Sequence, residues 1–171
     1  MVYLQSKLLF FIHLFSMIDP KKGLPFSTFI KISSMTPLVC VDLLICSQKK
    51  ILLTWREDEF YGPGWHLPGG ILRFKEKLHD RLIKTAKKEL NVKIKMPDKK
   101  PIAINEQINP KRDKRGHFIA LLYKCQLLEE PPKELKFNTI EKRNGTWLWH
   151  SRFPVNMIRQ HHIYKSFFQS N

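Results

Sequence analysis

Residues 64–70, GWHLPGG, set four Gly/Pro residues among seven directly ahead of a helical pattern that carries the carboxylate Glu89. A loop of this composition lets the backbone approach a ligand closely and turn N–H or carbonyl groups toward it. Loops rich in glycine and proline usually only turn the chain. This one gains chemical meaning from its register: Gly70, five residues, Glu76, then a helix with Ala86, Glu89 and Val92 at defined offsets. His66 lies beside the loop, where it could face a substrate, whereas His117, His161 and His162 stand on other elements. Each histidine taken alone is more often a packed or surface residue. Trp55 and Trp65 could stack on a nucleobase, with core packing the commoner role. Lys88 either supplies positive charge beside Glu89 or is a solvated lysine on a basic helix.

The elements that must hold these residues follow from periodicity. PLVCVDLLIC (37–46) reads as a buried strand, residues 47–50 as a polar turn and 51–55 as a second strand, together a hairpin. Residues 57–64 read as a loop and 71–74 as a short strand. Leu78, Leu82, Ile83, Ala86 and Leu90 recur at helical spacing, and Asn91 suits a left-handed helix end. Further strands are expected at 101–107, 117–127 and 146–149, and an amphipathic helix at 155–168. The order is that of an α+β sandwich with a mixed β-sheet.

At 171 residues the chain suits one domain with one hydrophobic core. Thirty Lys+Arg against fifteen Asp+Glu give a formal charge of +15, which favours polyanionic partners without choosing among them. Cys40 and Cys46 would lie about 20 Å apart on one extended strand at ~3.3 Å per residue, too far to bridge within it. With Cys125 they read as ordinary buried thiols of a reducing compartment. At the N-terminus, Lys7 precedes the apolar run LLFFIHLFSMI. That run is short for a membrane span, contains His13 and is followed by no A-x-A-like site. Residues 1–20 are therefore expected to be an extension or a packed helix, with Met17 of MIDPKKG as an alternative start and residues 21–171 as the domain. No membrane partner and a cytoplasmic location are expected.

The Gly70–Glu76–Glu89 register resembles the box of the Nudix hydrolases, G-x5-E-x7-R-E-U-x-E-E-x-G-U, where U is bulky and aliphatic. Gly70, Glu76, Glu89 and Val92 match it and Ala86 fits loosely. Lys84 stands at the Arg position, Asn91 at the final Gly, and Thr85 and Lys88 replace two acidic residues. A box losing those two carboxylates is similar to that of the GDP-mannose mannosyl hydrolases. TPLVCVDLLI (36–45) looks like that family's TPLVxxD strand, and FSTFIKISSM (26–35) like its N-terminal segment.

The resemblance implies a Nudix-like α/β/α sandwich and a metal-dependent hydrolase acting on a nucleoside diphosphate sugar. In that chemistry water attacks the sugar C1 and nucleoside diphosphate departs. Arg56, Lys84 and Glu89 would be catalytic; Asp42, Arg56 and His66 would bind substrate; Glu76 would be structural, pairing with Lys84 to brace loop to helix. With one strong helical ligand left, a single Mg2+ or Mn2+ is expected on Glu89 and the carbonyl of Gly70 or Gly69. The plainer reading of Arg56 and Asp42 is a surface charge and a strand-end cap. The family's Gln ligand and His base align with Arg143 and Asn144, which can serve neither role, and a shifted alignment would bring Glu141 to the metal. The expected partner is a nucleotide-sugar or nucleotide substrate, and a homodimer follows from the resembled family. Two alternatives stand: cleavage of a nucleotide phosphoanhydride, and a catalytically impaired scaffold binding nucleotide or nucleic acid through Lys84–Lys100 and KRDKR (111–115).

Overall fold

The computed structural model describes residues 19–58, 60–95 and 100–168. Most of the expected N-terminal extension, Met17 included, lies outside the described residues. The elements are α1 (Phe26–Ile32), β1 (Leu38–Ser47), β2 (Lys50–Arg56), β3 (Gly64–His66), β4 (Gly69–Ile71), α2 (Leu78–Leu90), β5 (Ile94–Lys95), β6 (Ala103–Ile108), β7 (His117–Leu127) and β8 (Trp147–His150). Two 3₁₀ segments, Lys133–Leu135 and Arg159–Phe168, flank β8. Among the described residues the eight strands form one mixed sheet, an α+β architecture in which only β1 and β7 pair in parallel.

β1 organises the sheet because both of its faces are covered, which explains its near-continuous apolar run. Val41, Leu43 and Ile45 pack on Leu82, Ala86 and Leu90 of α2. On the other face Leu44 joins Trp55, Trp65, Leu67 and Tyr164, so the C-terminal 3₁₀ segment forms the second outer layer. Trp55 and Trp65 meet edge to face at 5.2 Å inside this cluster, and both are core residues. No helix among the described residues is long and apolar enough to cross a membrane. Cys40 and Cys125 are buried, and burial pushes both thiols up, Cys125 to about 12.

The expected hairpin and α2 form, and α2 ends at Asn91 in the left-handed region with φ 56° and ψ 37°. Four details differ from expectation. Ile83 is 43% exposed, since the stripe at 82, 86 and 90 faces β1 and Ile83 lies at its edge, about 60° from the stripe's centre. The short strand is Gly69–Ile71, because pairing with β1 stops at Cys40↔Ile71 and the chain then turns, Glu76 accepting the Arg73 N–H at 3.1 Å. Residues 64–66, read as loop, form β3 against β2. The last helix is 3₁₀ from Arg159 rather than amphipathic α: Ile158, His161, Tyr164 and Phe167 recur every three residues on the covered side.

Candidate active site

A cleft of about 930 Å³ opens where β4, α2, the β2–β3 connection and the C-terminal segment meet. That volume is within the usual range for a small-molecule site. Asp42, Arg56, His66, Gly69, Gly70 and Glu89, from four separate stretches of sequence, all line it.

The helix wall is built on i, i+4 spacing. Arg81, Thr85 and Glu89 form one row beside the apolar stripe, and Lys88 flanks them. Gly70 is required here, since a Cβ would overlap Thr85 Oγ1 and crowd Arg81 Cδ at 3.2 Å. Glu76 anchors the loop to this wall: its carboxylate accepts from Arg81 Nε at 2.7 Å, Lys84 Nζ at 2.9 Å and the Arg73 N–H. Burial alone would raise the Glu76 carboxyl, but the bonds from Lys84, Arg73 and Arg81 outweigh it and hold the group at about 2. Burial raises Glu89, against the pull of Lys88 and Arg56.

The opposite wall is a buried hydrogen-bonded network. The Tyr164 hydroxyl donates to Asp42 Oδ2 at 2.6 Å. His161 Nδ1 accepts the Leu67 N–H at 2.9 Å, so its proton sits on Nε2, 4.0 Å from the same carboxylate oxygen. Burial drives His161 well below its ordinary value, with His66 and Arg56 adding to the effect. Burial pushes Asp42 up to about 7, opposed by the Tyr164 bond and by Arg56. Asp42 is thus a buried, titratable member of a site and not a strand-end cap.

Arg56 joins the two walls. Its Nε pairs with Asp58 at 2.6 Å, and its guanidinium lies 5.0 Å from the Tyr61 ring centroid. Asp58 is oriented in turn by the N–H groups of Phe60 and Tyr61, both 2.8 Å from its other oxygen. The run 111–115 folds back toward the cleft: Arg115 lies over Phe60 at 4.4 Å and Arg112 over Tyr61 at 4.9 Å. Tyr61 and Arg81, and the cleft positions of Arg115 and His161, escaped the sequence reading, which had Arg115 only as part of the basic run 111–115. Arg81, one turn before Lys84 on nearly the same helix face, had a readable signal in its spacing from Glu76.

Two expectations change. Lys84, expected among the catalytic residues, does not line the cleft; its ammonium is spent on Glu76, which makes it a brace. His66 lines the cleft but has no nitrogen free for substrate. Its Nδ1 donates to the Leu67 carbonyl at 2.7 Å, leaving Nε2 to accept the Thr54 hydroxyl at 3.0 Å, and burial lowers the ring to about 3. At the positions aligned with the missing ligand and base, Arg143 is exposed, while Asn144 lines the cleft and accepts the Glu57 N–H at 3.2 Å. Glu141 is exposed and pairs loosely with Arg143 at 3.8 Å, outside the cleft.

The donors for a metal are few. No group of three His, Cys, Asp or Glu side chains converges to hold an ion among the described residues. Pro68 accepts the Leu43 N–H and Val39 the Leu72 N–H, which makes Val41↔Gly70 a hydrogen-bonded pair of the ladder. The Gly70 carbonyl therefore points into β1, while that of Gly69 points away, and the expected backbone ligand moves from Gly70 to Gly69. Thr85 Oγ1 is buried with no hydrogen-bond partner. One carboxylate and two neutral oxygens fit a single hard cation that takes its remaining ligands from water or substrate.

Comparison with known proteins bears on the fold. No protein-family model matches the chain. It is 36% identical over 75 residues, 44% of its length, to the low-salt glycan biosynthesis protein Agl8 of Haloferax volcanii, and spans about half the length (48%) of that relative. Among solved structures it is similar to a MutT Nudix hydrolase from Burkholderia pseudomallei (20% identity, 78% of this chain and 97% of the other, TM-score 0.57). A UDP-X diphosphatase (18%, covering 98% and 77%, TM-score 0.57) and an ADP-ribose pyrophosphatase from Streptococcus suis (20%, 79% and 91%, TM-score 0.55) are similar too. With the sheet and helix placement described above, these likenesses show that the chain has the fold of the Nudix hydrolases.

Proposed function

We propose that residues 21–171 form a Nudix-type hydrolase acting on a nucleoside diphosphate sugar in the manner of the GDP-mannose mannosyl hydrolases, with water attacking the sugar C1 and nucleoside diphosphate leaving. The observation that carries this reading is the helix row Arg81–Thr85–Glu89, which presents one carboxylate to the Gly69–Gly70 loop inside a cation-lined cleft. A helix with several carboxylates serves multi-ion attack on phosphorus. This one serves at most a single ion, Mg2+ or Mn2+, held by Glu89, the Gly69 carbonyl and the Thr85 hydroxyl. Such an ion, when bound, supplies charge stabilisation for the departing diphosphate.

The chain's own residues supply the rest. Arg56, preoriented by Asp58, would bind the leaving diphosphate. Asp42, which loses its proton near pH 7, is the group in the cleft best matched to accept one from water. Lys84 and Glu76 hold the loop at its distance from the helix. The partial relative named for glycan biosynthesis supports sugar-nucleotide chemistry. Cytoplasmic residence and a homodimer belong to the same reading.

A second reading, phosphoanhydride cleavage, is favoured by the neighbours named as ADP-ribose pyrophosphatase and UDP-X diphosphatase. Nucleic-acid binding by an impaired scaffold loses support because Arg112 and Arg115 pack on aromatic rings at the cleft. The test is a screen of nucleotide sugars and nucleoside triphosphates with Mg2+, products read by mass. Free sugar plus nucleoside diphosphate is the expected result, and a nucleoside monophosphate would favour the second reading. No turnover together with salt-sensitive RNA binding would contradict both.

A further inference from the structure

Arg115 has no part in the hydrolysis outlined above, yet it lines the same cleft and is held with unusual care. Its backbone takes φ 53°, a conformation rare for a side-chain-bearing residue. Its N–H lies 3.2 Å from Ser33 Oγ and 3.3 Å from the Ser33 carbonyl, and its own carbonyl accepts the Tyr61 hydroxyl at 2.8 Å. The guanidinium lies 4.4 Å from the centroid of Phe60, 5.5 Å from Tyr61 and 5.6 Å from Phe29. Its Nε is buried with no hydrogen-bond partner.

Arg56 shares the Tyr61 ring from 5.0 Å. Burial lowers the Arg115 pKa; Tyr61 and Asp58 oppose that, while Arg56 and Arg112 reinforce it. The cations therefore press on one another inside a partly desolvated cleft. Asp58 is the carboxylate paired within this cluster, and its two oxygens are already engaged by Arg56 and by the Phe60 and Tyr61 N–H groups. Of the three guanidiniums on these rings, those of Arg56 and Arg115 line the cleft, while Arg112 donates to the Phe60 carbonyl at 2.6 Å, and Arg115 has no carboxylate hydrogen-bonded to it among the described residues. A compact polyanion is the ligand that answers this imbalance, because planar guanidinium forks bind phosphate oxygens in pairs and an anion between cations removes their repulsion. The metal donors of the cleft are sparse by comparison.

We propose that Arg115 and Arg56 form a guanidinium clamp that binds the diphosphate of the substrate without a divalent ion. This rests on the nucleotide-substrate reading above and deepens it: substrate capture is the work of arginines, and a metal matters only after capture.

Isothermal titration of the full chain with GDP, and separately with inorganic pyrophosphate, tests the clamp in EDTA and then in Mg2+. Saturable binding in EDTA is expected, with an affinity within about threefold of that in Mg2+. Arg115→Met should weaken binding about tenfold or more in both buffers, and Arg115→Lys by several-fold, since a point charge cannot reproduce the fork. Melting curves establish that each variant is folded; if Arg115→Met is not, wild type and Arg115→Lys in EDTA decide the matter. Binding that vanishes in EDTA, or a folded Arg115 variant with wild-type affinity, overturns the clamp while leaving the proposed hydrolysis standing. A chain that binds GDP in EDTA but hydrolyses nothing in the product screen supports the clamp and removes the hydrolysis.

Discussion

Two carboxylates, Glu76 braced against α2 and Asp42 on β1 in the cleft, are both withdrawn from solvent and are shifted in opposite directions. Glu76 sits among Arg73, Lys84 and Arg81 and is held at about 2, while Asp42 is pushed up to about 7, with a tyrosine hydroxyl as its partner. The difference lies in what each environment offers the charged form. Glu76 is enclosed by two cations, Lys84 and Arg81, and the Arg73 N–H, all of which favour its ionised state and make it a permanent brace. Asp42 lies between Tyr164 and the Nε2–H of a neutral histidine and keeps a proton to hand near neutrality. One wall is therefore built to hold its charge, the other to change it.

The largest effect on stability should come from breaking the brace. Glu76→Ala leaves Arg81, with 9% of its side chain exposed, as an uncompensated buried cation, and should cost about 3 kcal/mol at pH 7 by chemical denaturation. A depressed carboxyl contributes stability above its unfolded value of 4.5 and loses it as pH falls through about 2, so the gap between variant and wild type should close in that window. An undiminished gap at pH 2 would show that packing, not charge, is what Glu76 supplies.

Asp42→Asn sharpens the other side of the comparison. A carboxyl raised from 3.8 to about 7 contributes fully below pH 3.8, and that contribution is lost as pH rises through about 7. Wild type should therefore lose stability on the order of 2 kcal/mol between pH 5 and pH 8 through this group. The asparagine variant should escape that part of the loss, so its melting temperature should gain on wild type as pH rises. Parallel melting curves across that range would contradict the assignment. The smallest change is expected from Lys84→Met. Lys84 is 59% exposed and solvent screens its pair with Glu76, so the cost should stay under about 1 kcal/mol, well below that of Glu76→Ala.

The same contrast explains what was legible in the chain. Gly70, Glu76, Thr85 and Glu89 lie within one strand–loop–helix unit, where spacing alone dictates who meets whom, and their placement in sequence carried over to space. Asp42 and Tyr164 are 122 residues apart, and Tyr61 and Arg115 are 54 apart. No local period marks such pairs, which the sheet order, with β1 beside β7, and the C-terminal 3₁₀ segment packed across it bring together. His66 illustrates the converse error. Its place beside the loop suggested substrate contact, but burial and two satisfied nitrogens make it a spacer between β2 and the loop. The basic run 111–115, which in sequence carried the alternative of nucleic-acid binding, places two of its arginines over Tyr61 and Phe60, a placement no local pattern announces.

The central claim, that Glu89 is the carboxylate of the helix row that serves metal-dependent hydrolysis in this cleft, is tested most directly by the turnover of Glu89→Gln on whichever nucleotide substrate the product screen identifies. A fall in kcat of about 100-fold or more is expected in Mg2+, with an unchanged melting curve. Wild-type turnover in the folded variant would contradict it.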